Sequence, residues 1–274
     1  MKQFLTFILF TLLFACQSPN TDSNSETKVP DETSELAEFE FFKVFSNMPT
    51  PLDELGHMFN DSISFNGTLM TNISDLNDEN DKKLVGLYCG AYIVDMVYQA
   101  VYGNTKNTLN YANATHDLFA GLNIPSVFEE LIQEAENDPS SLTNDDLKNN
   151  IEATLERLEM HLAENDRMVI ASQLMMGSWI QMQYILTQSI LNKKDDQIAE
   201  DLKYHVFEQR EHLDNLILLL KEVKEEAGLH DEMNHLNELE ASFLRIHSTE
   251  EVTHEIVVEL ANQIATIRGE VLNN

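Results

Sequence analysis

Residues 82–102 read KKLVGLYCGAYIVDMVYQAVY, and the fold turns on how this stretch is read. A helix drawn through it has apolar residues on every side, from Leu84, Val85 and Leu87 through Tyr92, Ile93 and Val94 to Val97, Tyr98 and Val101. A surface helix carries one apolar stripe, whereas a helix that is apolar all round belongs inside a core. The stretch 167–191, RMVIASQLMMGSWIQMQYILTQSIL, has the same character. Two such helices need amphipathic neighbours to cover them.

Those neighbours can be read outward from the pair. Residues 105–122 are amphipathic, with Leu109, Ala112, His116 and Phe119 on one face. Pro125 introduces a helix over 126–136, and Thr143 caps another running to about Leu162. Residues 196–223 are amphipathic around LDNLILLL, with Gly228 as the stop signal, and helices over 230–246 and 249–272 follow. On the N-terminal side, Pro51 begins a short helix to Phe59 under a Thr50 cap. Leu36 to Phe45 forms a short helix or an extended arm, and Asn60 to Asp81 is a polar loop. No segment sustains period-two alternation, and only 9 glycines and 6 prolines occur in 274 residues. The expectation is all-α: residues 36–274 as a single multi-helix bundle of antiparallel hairpins, with about seven to eight helices.

Gly90-Ala91-Tyr92 with Tyr98 is echoed by Gly177-Ser178-Trp179 with Tyr184. The echo fits either a duplicated helix pair or two central helices that each need a small residue for close approach.

The chain opens on MKQFLTFILFTLLFAC, with a positive Lys2 and a twelve-residue apolar run from Phe4 to Ala15. A bilayer span needs roughly twenty residues, so the run reads as a secretion signal over residues 1–15. Leu13-Phe14-Ala15-Cys16 resembles the lipobox of bacterial lipoproteins, with Phe14 bulkier than is usual there. That resemblance implies cleavage before Cys16, lipid on its sulfur and an acyl group on its new amino terminus. Two or more acyl chains would give stable anchoring. Residues 16–35 are polar and aromatic-free, a composition that makes a flexible tether. Three further segments carry a wider resemblance: Gly90 to Tyr98, Thr105 to Tyr111, and Glu208-Gln209 with Leu213 to Ile217. They are similar to segments of helical lipoproteins of Bacteroidota-type bacteria, over about residues 48–225. Ile93 and His116 depart from that pattern, where glycine and lysine are usual. The resemblance implies a helical fold and a lipid-anchored place in the bacterial cell envelope, at the outer membrane, with either face open. It implies no chemistry.

The formal net charge of −30 opposes binding to nucleic acid and to anionic headgroups. Cys16 apart, Cys89 is the only cysteine, so the mature chain has no internal disulfide, and Cys89 reads as an inert core residue.

One constellation could carry chemistry. Ile198, Leu202, His205, Gln209, His212 and Leu216 share one stripe of helix 196–223, so three polar side chains point at the core. Buried polar groups need partners. Isolated candidates on the apolar helices are Asp95, Gln99, Gln173, Gln181 and Gln183, with Asp95 the sharpest. The candidate ligand-binding residues are therefore Asp95, Tyr98, His205, Gln209 and His212. The alternative is a hydrogen-bond network that fixes helix register. His205 and His212 lie about 10.5 Å apart along the helix axis, too far to hold one ion.

The Glu232/His235 and Glu251/His254 pairs have the spacing of a di-iron bundle, but both histidines lie off their apolar stripes and read as solvated faces. Asp75-x-Asn77-x-Glu79 lacks the glycine and glutamate of a calcium loop and reads as an acidic cluster capping the next helix. No phosphate loop, nucleophile elbow or zinc spacing occurs. These features imply no metal and no cofactor. They imply a membrane-anchored helical binding or interaction module, with an enzyme or ligand-binding bundle using the interior polar residues as the rival.

Overall fold

The computed structural model describes residues 32–60, 63–76, 80–125, 127–137, 143–165, 167–191, 193 and 198–272. The signal segment, Cys16 and the tether as far as residue 31 lie outside the described residues, as do Asn77 and Glu79.

Among the described residues ten α-helices follow one another: α1 (Glu32–Phe45), α2 (Pro51–Asn60), α3 (Lys82–Val101), α4 (Thr105–Gly121) and α5 (Glu129–Asn137), then α6 (Asn144–Glu164), α7 (Met168–Ile190), α8 (Glu200–Ala227), α9 (His230–Phe243) and α10 (His254–Leu272). No strand occurs among the described residues, and the protein is all-α. The short helices α1, α2 and α5 bring the count to ten. Links of two or three residues, as between α3 and α4 or α8 and α9, force consecutive helices to run antiparallel.

Local chemistry sets the helix ends. The Asp81 carboxylate accepts from the backbone N–H of Lys83 (3.0 Å) and Leu84 (3.1 Å), opening α3. Thr143 and Asp146 form a reciprocal capping box on α6. Gly228, at φ 64°, takes the left-handed conformation that closes α8. Several boundaries differ from the sequence reading, three of them in kind. Helix begins at Glu32, inside the stretch expected to be tether. The segment after Pro125 turns before α5 starts, with Val127 N–H on the Pro125 carbonyl. The last helix is broken: a 3₁₀ turn at Thr249–Glu251 precedes α10, which Thr253 opens by accepting from Ile256 N–H.

α3 and α7 form the central pair and share the most extensive packing in the bundle. Every residue from Leu84 to Val101 is buried. α4 lies on α3, α8 and α10 cover α7, and α6 touches both. The two central helices meet glycine to glycine. A Cβ placed on Gly90 would stand 2.0 Å from the Leu174 carbonyl oxygen, and one on Gly177 would stand 2.0 Å from that of Leu87. The backbones are therefore in direct contact, and Ser178 donates to the Gly90 carbonyl across the crossing at 3.0 Å. Close approach alone accounts for the glycine echo in the sequence.

Candidate functional site

The five candidate residues fall into two groups on opposite sides of α7. Gln181 and Gln183 stand two positions apart, about 200° round the helix, so they address different neighbours. Gln181 belongs with Asp95, and Gln183 belongs with Gln209.

Asp95 is fully buried and holds a loop. Its carboxylate accepts from the backbone N–H of Thr71 (2.8 Å) and from Gln181 Nε2 (2.7 Å). Arg268 completes the group from α10. It donates Nε to Gln181 Oε1 (2.5 Å) and Nη2 to Thr71 Oγ1 (3.1 Å), and lies 4.5 Å from the centre of the Tyr184 ring. Burial pushes the Asp95 carboxyl up to about 7, against the opposing pull of Thr71, Gln181 and Arg268.

Tyrosines of α3 and α4 secure the same loop. Tyr98 Oη accepts from Asn66 N–H at 3.0 Å. Tyr92, Tyr102 and Tyr111 donate to the carbonyls of Ile73 (3.0 Å), Ile63 (2.5 Å) and Thr71 (2.7 Å). Ile63, Leu69 and Thr71 are buried. Residues 63–76 are therefore no simple polar loop but a strap laid over the core. Where the strap dips inward its backbone groups must be paired, and the tyrosines supply partners. Asp95 and Tyr98 are spent on this strap, and the Asp95 carboxylate is hydrogen-bonded to Thr71 and Gln181.

Those three residues instead gather around a group the sequence reading passed over, Glu54 of α2. Gln183 Nε2 donates to Gln209 Oε1 (2.5 Å), and Gln209 Nε2 donates to Glu54 Oε2 (3.1 Å). Glu54 lies between the two histidines, 3.9 Å from His205 Nδ1 and 3.9 Å from His212 Nε2. Both separations exceed hydrogen-bond reach. Its side chain is only 10% exposed. Burial, then the nearby charges of Glu208 and Asp53, push the Glu54 carboxyl up to about 7, with Gln209 pulling the other way. Burial also lowers the pKa of His212, against the pull of Glu208 and Glu211. Burial thus shifts both Glu54 and His212 toward their neutral forms, which weakens any ion pair between them.

No group of three or more His, Cys, Asp or Glu side chains is placed to hold a metal ion among the described residues. Glu232 and His235 do not act together: Glu232 pairs with Lys83 (2.8 Å) and His235 with Glu270 (2.9 Å). Glu232 is 12% exposed, so it is a cross-helix partner and not the solvated face expected. α3 is capped by Asp81, which is not among the residues of the Asp75-x-Asn77-x-Glu79 cluster. Cys89 is buried, which pushes its thiol up and keeps it protonated.

A cavity opens elsewhere, where the α1–α2 link crosses α6 and α7. Its volume is about 130 Å³. Phe45, Met48 and Pro49 to Pro51 form one wall, Leu155, Leu158 and Leu162 of α6 a second, and Leu174, Met175, Trp179 and Met182 of α7 the floor. Glu159 supplies a carboxylate to the lining. The Trp179 indole N–H is buried and has no hydrogen-bond partner among the described residues. None of the five expected ligand-binding residues lines this cavity.

No family model, curated protein or solved structure matches the chain.

Proposed function

We propose that this chain is a lipid-anchored protein of the bacterial cell envelope whose helical bundle is a binding module. In this reading Cys16 carries the anchor, the polar tract after it is the leash, and the cavity between the α1–α2 link, α6 and α7 receives a small ligand. The cavity is the observation that carries the binding role. Close packing fills protein interiors, and an apolar space of about 130 Å³ rimmed by a proline-containing link leaves room for a small ligand. The lipobox-like ending at Cys16 supports the anchor, and the net charge of −30 argues against a nucleic-acid partner. Asp95 and Tyr98, committed to the strap, are better explained as structure than as a site.

Native mass spectrometry of the protein taken from its own host's membranes tests both parts. The expected result is a covalent acyl mass on Cys16 and a non-covalent adduct lost on unfolding. Cys16→Ala should abolish the acyl mass. An unmodified Cys16 in a soluble protein would overturn the anchor, and an adduct-free protein would count against the binding role.

A further inference from the structure

The cavity has one wall that α2 fastens, and the fastening is titratable. Pro51 is the first residue of α2 and lines the cavity beside Thr50. The Thr50 hydroxyl donates to Asp53 Oδ2 at 2.7 Å and accepts from the Asp53 N–H, so wall and helix form one piece. A ten-residue helix is not stable by itself. Among the described side chains of α2, Leu55 (buried) and Leu52 (partly buried) supply the apolar hold, and Glu54 supplies the polar one. A segment with so few buried apolar contacts opens locally before the whole fold does.

Glu54 is the weak point of that hold. Among the described residues it accepts one hydrogen bond, from Gln209, whereas Asp95 has two donors with Arg268 close by. The charges around it offer little to an anion. α8 presents Glu208 with His205 and His212, and α2 itself presents Asp53. The α8 cations Lys203 and Arg210 are engaged with Glu200 and the Ile246 carbonyl. α7 carries no Asp, Glu, Lys, Arg or His from Met168 to Ile190. On α3, Lys83 pairs with Glu232, Asp95 faces the strap and Lys82 is exposed. α1, packed on α7 and α8, carries Glu38, Glu40 and the exposed Lys43. Burial and Glu208 keep Glu54 protonated up to about 7, and burial pushes His212 below its usual value, so His212 is uncharged once Glu54 ionises. An ionised Glu54 must then reach water. Lifting α2 is the shortest way there, because the partners it leaves lie on the long helices α7 and α8. We propose that α2 is a pH-operated latch on the cavity wall: deprotonation of Glu54 releases the helix and draws Thr50 and Pro51 away from α7.

The latch needs no guest, so its test uses no ligand and its failure leaves the binding role standing. Hydrogen exchange is followed by mass spectrometry at pH 5 and pH 8, on the protein as its host makes it, with intrinsic rates divided out. α2 and the Ser46–Met48 turn, whose amides bond back to Phe42, Val44 and Phe45, should exchange faster than α7 at both values. Their protection should fall about fiftyfold from pH 5 to pH 8, as a carboxyl moving from about 7 to 4.5 on release requires. Glu54→Gln keeps the acceptor for Gln209 and cannot ionise, so its protection should not change with pH. Leu55→Ala weakens the hold and spares the carboxyl. It should speed exchange at both values and keep the same ratio between them. Exchange of α2 only in step with α7 would show that no separate latch exists. A pH response that survives Glu54→Gln would assign it to another group, and opening on acidification would assign it to the histidines; either overturns the proposal. A turn that stays protected while α2 opens would uncouple the helix from the cavity wall and overturn it as well.

Discussion

Replacing Glu54 with Gln tests whether the cluster on α2 and α8 is neutral or ionic. A carboxyl whose folded pKa is raised binds its proton more tightly in the folded protein than in the unfolded chain. Its stabilising contribution is complete below the unfolded value and is lost as pH rises through the folded one. For Glu54 the window runs from 4.5 to about 7. At about 1.4 kcal/mol per tenfold in proton affinity, ionising it in place costs roughly 3 kcal/mol by pH 8 but only about 1 kcal/mol at pH 5. The amide of Glu54→Gln keeps the acceptor for Gln209 Nε2 and carries no charge, so it avoids that cost at every pH. Relative to wild type, the variant should gain roughly 2 kcal/mol between pH 5 and pH 8, measured by urea unfolding at the two values. Asp95, which burial also pushes up to about 7, weakens both proteins alike over the same range and cancels in the difference. His212 has the opposite sign, since a lowered histidine pKa costs stability as pH falls, and it too is present in both. Were Glu54 ionised and paired with His205 and His212, its removal would destabilise the fold throughout. A variant that is less stable at both pH values, or a difference that does not grow with pH, refutes the neutral cluster.

Gly177→Ala should cost at least about 3 kcal/mol, because the new methyl meets the Leu87 carbonyl at 2.0 Å and rigid backbone has no rotamer to yield. The same change at Gly90 should be equally severe, and thermal melts of both variants would show it. Asp95→Ala should cost about 2–4 kcal/mol by stranding the Thr71 N–H and the Gln181 amide. Hydrogen exchange should then quicken across residues 63–76 before it does in α3. Uniform exchange through both would show that Asp95 does not hold the strap.

The fold is legible in the sequence where composition alone decides. α3 and α7 declare themselves by being apolar all round, and Thr143 and Gly228 sit where helix ends demand them. The buried position of Gln209 also follows from the spacing on its helix. What the sequence hides is which side chains meet. Asp95 needs a partner, but that its partners are a backbone N–H from the strap and a glutamine of α7 depends on packing across the whole chain. Glu54 looks like an ordinary acidic residue in the first turn of a short helix, and only the docking of α2 turns it into a buried group. The strap resembled a solvent loop because backbone pairing leaves no mark in composition. The one available sign was a set of tyrosine hydroxyls on otherwise apolar surfaces.

Asp95 has a consequence that precedes folding. By length and composition α3 could cross a membrane, although in the bundle it is wholly buried. The chain is made from its N-terminus, so α3 exists before α4, α5 and α6 and well before α7 can sheathe it. A bare apolar helix at that stage is a candidate for insertion into a bilayer. A carboxylate placed within it adds up to about 3 kcal/mol to the cost of that error. The residue that later clamps the strap therefore also raises the cost of placing the unfinished chain in lipid.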